Sequence, residues 1–281
     1  MTRIAVFGDL SGHLAPFVRA LGELGVDVAA SQVPDDLVVV QVGDLVHKGP
    51  DSDTIVALVD RLLDANPDRY VQLLGNHEDQ YLGGQRFYEQ TPLAPGTIAT
   101  LRRWRASGTL RVAAAIRTTG GESYLVTHAG LTRLNFLHHV GVDDVGQAAE
   151  VVNRLMETRP KVIHAAGVML TDLRSGLAGP LWAEATRELY PGWLRAAATG
   201  QPPPFGQIHG HCPLLDFTGE PIGPLPPDLA RLAVVDRARR HVSLTIGGRR
   251  FINVDPGFDD RPPGRVRLHP VVLDGELLSS H

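Results

Sequence analysis

The feature that most constrains this chain is a rhythm in its first third. Three apolar runs, "RIAVFGD", "DLVVVQVGD" and "RYVQLLGN", are separated by "APFVRALGEL" and "SDTIVALVDRLLDA", whose apolar residues recur at helical spacing. Short apolar runs alternating with helices predict parallel strands joined by crossover helices. Each run stops at a glycine followed by a polar residue: Gly8-Asp9, Gly43-Asp44 and Gly75-Asn76. Open parallel sheets bind ligands at the carboxyl ends of their strands, and glycine lets backbone turn sharply or approach a ligand there. Three polar side chains are therefore expected on one sheet edge.

From about residue 79 to 205 the pattern is more helical, in "GTIATLRRWRASG", "VGQAAEVVNRLMETRP" and "LWAEATRELYPGWL", broken by the strand "SYLVTHAG". The stretch from about 131 to 205 reads as a helical cap inserted between core strands, ending in the turn-forming "GQPPPFG". After it, "GQIHGHCP", "RLAVVD", "HVSLTIGG", "RFINVDPG" and "RVRLHPVVL" are short, β-rich and punctuated by Gly and Pro. They predict a second sheet packed on the first. The expected fold is α/β, a four-layer α/β/β/α sandwich in one domain over residues 1–281.

At 281 residues and 43% hydrophobic, the chain can bury one large core. A formal charge of −4 without long like-charge runs gives no footprint for nucleic acid or an anionic membrane. No apolar run approaches the roughly 20 residues that span a bilayer, and the N-terminus enters a strand at once, so a cytoplasmic protein is expected. Cys212 is the only cysteine, which excludes an internal disulfide and a thiolate metal cluster. Any metal must be held by His, Asp, Asn and water.

In chain order, Asp9, Asp44, Asn76-His77-Glu78, His128 and His211 all fall at the ends of expected strands. This set resembles the calcineurin-like metallophosphoesterases, and most of all the branch of Ser/Thr protein phosphatases and symmetrical diadenosine tetraphosphate hydrolases. Two divalent cations about 3.5–4 Å apart clamp the attacking and leaving oxygens of a phosphoryl displacement, and a shared carboxylate reduces their repulsion. The resemblance makes Asp44 that bridge and places Asp44, Asn76, His128 and His211 on the second metal. Oxygen ligands with neutral imidazoles suit manganese, iron, zinc or nickel better than calcium or a magnesium cage, and manganese is the first candidate. Hydroxide would attack phosphorus in line, and His77 would protonate the leaving oxygen.

Two departures from the family pattern stand out. The first metal takes Asp9 and Asp44 by resemblance, but Ser11 stands where the family has a histidine, in "GDLSGH". Three outcomes are open: water fills that place, His13 or another imidazole swings in, or the site holds one metal only. In "GDLVHKG", His47 and Lys48 replace the family's Asp and Arg. His77 then faces no full negative charge, so its pKa should lie below that of relatives. Lys48 keeps a positive charge for a phosphate oxygen without the bidentate fork of Arg.

Plainer readings stand beside these. Asp9, Asp44 and Asn76 could each be a helix N-cap, and only their joint order with the histidines favours a metal site. His209 shares a strand face with His211 without being a required ligand. Cys212 suits a small buried position, and Trp104 and Trp182 suit packing more than nucleobase stacking. Arg102, Arg103 and Arg105 read as a solvated helix face; His138, His139, His164 and His241 lack motif context. The expected activity is metal-dependent hydrolysis of a phosphate monoester, on a phosphoprotein or small metabolite, or of a dinucleoside polyphosphate. A regulatory pseudo-phosphatase is the rival from another class, favoured by Ser11 and His47. Pro213 stands where many phosphodiesterases of this superfamily carry a further histidine, which argues for monoester or anhydride substrates.

Overall fold

The alternating signals of the first third become β1 (Thr2–Phe7), α1 (Leu14–Glu23), β2 (Leu37–Gln41), α2 (Ser52–Ala65) and β3 (Tyr70–Leu73). These come from a computed structural model that describes residues 2–216, 220–223, 225–258 and 267–278. The strands pair in parallel, β1 with β2 and β2 with β3. In α2, Ile55, Val56, Leu58, Val59, Leu62 and Leu63 are buried, spaced to line one face of a helix that packs on the sheet. After the short α3 (Asn76–Asp79) and α4 (Pro95–Ser107), β4 (Leu110–Arg111) extends the sheet beside β3. Trp104 ties α4 to α2 by donating its indole N–H to Asp60 Oδ1 at 2.8 Å. Arg103 and Arg105 are held by Asp60 and Glu157.

The remaining strands are β5 (Ala113–Thr118), β6 (Ser123–Thr127), β7 (Gly206–His209), β8 (Ala233–Asp236), β9 (His241–Ile246), β10 (Arg249–Asn253) and β11 (Val271–Leu278). β5 and β4 had no counterpart in the sequence reading. The strand expected over "RVRLHPVVL" begins later, at Val271, and Arg265 and Val266 lie outside the described residues. The strands run in the order β4-β3-β2-β1-β11-β5-β6-β7-β10-β9-β8. β11 is antiparallel to both its neighbours, β1 and β5, and so forms the seam between two half-sheets.

Alternation along the strands shows how the halves stack. Ile4 and Val6, Val38 and Val40, and Val71 and Leu73 pack against Ala114, Ile116, Tyr124, Val126, Ile208 and Ile252 in one buried cluster. The alternate residues Ala5, Phe7, Val39, Ala113, Ala115, Leu125 and Phe251 belong to the cluster that contains the helices. Each half-sheet thus has one face on the other half and one face on helices. This is the expected α/β/β/α sandwich, with its two sheets continuous through β11.

The segment between β6 and β7 has two uses. Helix Val145–Thr158, capped by Asp144 accepting from Gln147 N–H at 3.0 Å, lies on β5 and β6. Asn153 fixes it there, its Oδ1 accepting from the N–H of Val112 (2.8 Å) and Ala113 (3.0 Å). Helix Tyr190–Ala198 extends the same outer layer. The stretch between them reaches the strand ends, where Trp182 meets Phe87 edge-on at 5.0 Å and His164 Nδ1 lies 2.7 Å from Asp79 Oδ2.

Candidate metal centre

The turns after β1, β2, β3, β6 and β7 carry Asp9, Asp44, Asn76, His128 and His211 to one edge of the sandwich. These turns are tight. Ser11, Asp44, His47, Lys48 and His211 all have φ between 45° and 74°, a region that non-glycine residues enter only when surrounding contacts enforce it. A Cβ on Gly43 would sit 2.4 Å from the Gly75 nitrogen, so only glycine lets the β2 and β3 turns touch. Buried Gln41 braces the set, donating to the carbonyls of Gly8 (3.1 Å) and Gly43 (2.8 Å) and accepting from Gly43 N–H (2.7 Å). Buried Glu78 accepts from the N–H groups of Asp44, Leu45, Val46 and Gly75 at 2.8–3.2 Å. Burial and the nearby Asp44 carboxylate raise its pKa, against the pull of those donors.

One atom from each of Asp44, His128 and His211 can be chosen so that all lie within 4.8 Å of one another, and all three residues are buried. Asn76 Oδ1 joins them, 2.8 Å from His128 Nε2 and 3.0 Å from His211 Nδ1. His128 Nδ1 lies 3.1 Å from the Val42 carbonyl, which can only accept, so Nδ1 carries the hydrogen and Nε2 presents its lone pair. That lone pair faces Asn76 Oδ1 and, at 3.5 Å, Asp44 Oδ1. Burial lowers the pKa of both His128 and His211, which opposes settling these contacts by protonation. His211 Nε2 is buried with no hydrogen-bond partner. A carboxylate, an amide oxygen and neutral imidazoles converging on one point are the chemistry of a divalent cation site, and the four residues fit one. Burial opposes ionisation of Asp44, but His128, His77 and the Lys48 ammonium hold its pKa well below the usual carboxylate range.

Beside this group, His77 Nε2 lies 3.8 Å from Asp44 Oδ2, and His77 N–H donates to Asp44 Oδ1 at 3.0 Å. His47 Nδ1 is 2.6 Å from His77 Nδ1, so the residue in the place of the family's Asp does reach its histidine. Burial depresses His77 to about 4, the Asp44 carboxylate only partly offsetting it, and burial together with His77 depresses His47 to about 3.

The sequence pattern of calcineurin-like phosphoesterases matches residues 2–224. The chain belongs to that family. No curated protein sequence matches it. Among solved structures, a protein serine/threonine phosphatase from Saccharomyces cerevisiae is similar at 14% identity, over 98% of this chain and 80% of its own, with a TM-score of 0.48. A cold-active protein-tyrosine phosphatase from a psychrophilic Shewanella is similar at 14% identity, over 90% and 80%, with a TM-score of 0.45. A putative diadenosine tetraphosphatase is similar at 18% identity, over 98% and 91%, with a TM-score of 0.37.

The residues expected around the first metal, Asp9 and His13, stand apart from this group. Asp9 accepts the His211 N–H at 3.1 and 3.2 Å and lies outside the convergent group among the described residues. His13 lies outside it too: its ring stacks on Phe258 at 4.6 Å, and Nδ1 is 3.3 Å from the Leu10 carbonyl. Ser11 is buried at the same turn. Burial, then Asp255 and Asp44, push the Asp9 pKa up, while Lys48 pulls it down. Burial opposes the Lys48 charge, but Asp255, Asp44 and Asp9 hold its pKa above the usual value. Asp255 is a site residue that the sequence reading passed over. Its turn follows β10, and it repeats the signal of Asp9 and Asp44, a polar residue just past a strand.

Other side chains sort simply. His209 is buried, with Nε2 2.8 Å from Tyr190 Oη, away from the metal group. Cys212 is buried and accepts the Ala185 N–H at 3.2 Å. Phe87, edge-on to His77 at 4.8 Å, and Trp182, 6.0 Å from His211, wall the cluster. His164 is more than a surface residue, since it ties the inserted segment to Asp79 of α3.

Proposed function

We propose that this phosphoesterase hydrolyses a phosphate monoester or a dinucleoside polyphosphate, with a divalent cation held by Asp44, Asn76, His128 and His211. The convergence of those four residues from two half-sheets carries the reading. When bound, the cation supplies a Lewis acid for a phosphoryl oxygen and makes a water nucleophilic near neutral pH. The chain's own residues do the rest. Lys48 offers its ammonium to a phosphate oxygen, and His77 turns Nε2–H toward the leaving oxygen as a hydrogen-bond donor. Glu78 holds the β2 and β3 turns in register, and Phe87 and Trp182 keep water from that side of the cluster.

A binding module without turnover is the second reading, favoured by Ser11 in place of an imidazole and by Lys48 among the carboxylates. Hydrolysis of a generic aryl phosphate, assayed with Mn, Ni, Fe, Zn or Mg in turn, separates the two. Turnover with at least one metal, lost on chelation, is the expected result. Inactivity of folded protein with every metal would overturn the enzyme reading.

A further inference from the structure

The contacts around His47 fix which way its hydrogens point. Gln80 accepts at Oε1 from the N–H of Phe87 (3.3 Å) and Tyr88 (3.2 Å), and donates from Nε2 to the Tyr88 carbonyl at 3.1 Å. Backbone N–H groups only donate and carbonyls only accept, so three contacts determine the amide orientation. The second hydrogen on Gln80 Nε2 is then shared between His47 Nε2, 3.3 Å away, and the Tyr81 hydroxyl. Tyr81 Oη lies 2.8 Å from the same nitrogen and can donate to it. His47 Nε2 is therefore an acceptor, and a neutral imidazole with an acceptor at Nε2 carries its hydrogen on Nδ1. That Nδ1 faces His77 Nδ1 at 2.6 Å, where two lone pairs would repel, so His47 donates and His77 Nδ1 accepts. The only remaining place for the His77 hydrogen is Nε2, on the side of Asp44. His47 is buried and stacked on Tyr88 at 4.7 Å and 20°, which shields its bond to His77 from solvent.

We propose that Gln80 and Tyr81 are positioning residues that set the direction of a hydrogen-bond relay through His47, holding His77 as the neutral tautomer that presents Nε2–H to the substrate. A carboxylate at position 47 could only accept from His77 Nδ1; a donating His47 makes that nitrogen the acceptor and leaves the His77 hydrogen on Nε2, aimed at the leaving oxygen. Neither Gln80 nor Tyr81 reaches the reacting atoms, and both act through His47. The catalytic use of the relay rests on the phosphoester-hydrolase reading, whereas its direction does not.

Imidazole nitrogen NMR of the 15N-labelled, metal-free protein near neutral pH tests this directly. Expected are a pyrrole-type Nδ1 and pyridine-type Nε2 for His47, and a pyridine-type Nδ1 and pyrrole-type Nε2 for His77. A pyrrole-type Nδ1 on His77 would overturn the proposal. Gln80→Glu sets an acceptor against His47 Nε2, so the pattern should invert at both rings, and an unchanged His77 in folded Gln80→Glu would remove Gln80 from the relay. Should that variant fail to fold, the pair His47→Asn and His47→Asp decides. The amide can still donate to His77 Nδ1 and the carboxylate cannot, so identical His77 spectra in the two would refute the directional argument. On an aryl phosphate, Gln80→Glu should lower kcat by about tenfold with KM within about twofold, as for loss of an oriented hydrogen-bond donor. A rise in KM with kcat unchanged would count against a positioning role. Inactive protein with the expected tautomers would defeat the hydrolase reading and leave the relay standing.

Discussion

Around Asp44, two groups of buried polar residues meet their charge problem in opposite ways. On one side, Asn76, His128 and His211 bring an amide oxygen and two imidazoles together, and burial disfavours the charged form of both rings. On the other, Asp9 and Asp255 already have the Lys48 ammonium in their field, and burial pushes Asp255 up to about 6. With Asp44, the first group presents the electron-pair donors that a divalent cation takes. The second is balanced from within, by an ammonium and by carboxyls whose protonated forms burial favours. The lesson is that a motif with one ligand replaced need not leave a hole, because a neighbouring side chain can take over part of the missing charge.

The comparison can be broken most decisively at its first half. Asp44→Asn or His211→Ala should lower kcat/KM on an aryl phosphate by about a thousandfold, several kcal/mol of lost charge stabilisation, and abolish Mn binding in calorimetry. Retention of tight binding by either variant would show that the convergent group is not the cation site.

Lys48→Met probes the second half. Removing the half-buried Lys48 charge should cost about 1–3 kcal/mol, and a divalent cation should recover part of it by taking the ammonium's place. The expected signature is a lower Tm that rises with added Mn much more steeply than in the parent protein. Equal metal responses would mean that Lys48 does not stand in for a cation.

His47→Asp sharpens the comparison through pH. With His77 held at about 4, raising the pH from about 5 to about 8 removes no proton from it, so the parent profile should be flat with respect to this group. A carboxylate at 47 favours the charged ring and should raise that pKa by about 1–3 units. A general acid works protonated, so the variant should gain a limb along which kcat/KM falls as pH rises through that higher pKa. Superimposable profiles would contradict this account of His47. The smallest effect belongs to His13→Phe, which keeps the stack on Phe258 and should leave Mn affinity within about twofold, where loss of a ligand would cost tenfold or more.

Much of this was legible because the signals were local and repeated. β1, β2, β3 and α2 follow from apolar spacing, and α2 keeps the bounds of "SDTIVALVDRLLDA". β5 was missed because "AAAIRT" carries three alanines, a residue that favours helix; here small side chains are what two packed sheets and helix Val145–Thr158 leave room for. The juxtaposition of His47 and His77 was implied by the resemblance, but Gln80 and Tyr81 were not, since they follow the motif without belonging to it and act through a loop at Phe87 and Tyr88. Asp255 was passed over because its strand lies far from the others in sequence and joins them only through the sheet order. The tether between His164 and Asp79 depends on how the inserted segment folds back, and no local pattern records that.

The seam strand has a consequence for how the protein comes into being. Asp44 and Asn76 follow strands of one half-sheet, His128 and His211 follow strands of the other, and β11 joins the halves by pairing with β1 and β5. A ribosome delivers all four ligands before it delivers that strand. Until β11 emerges, each half holds only part of a cation site, so the finished pocket is an outcome of late closure and a cation bound across it would latch the two halves together.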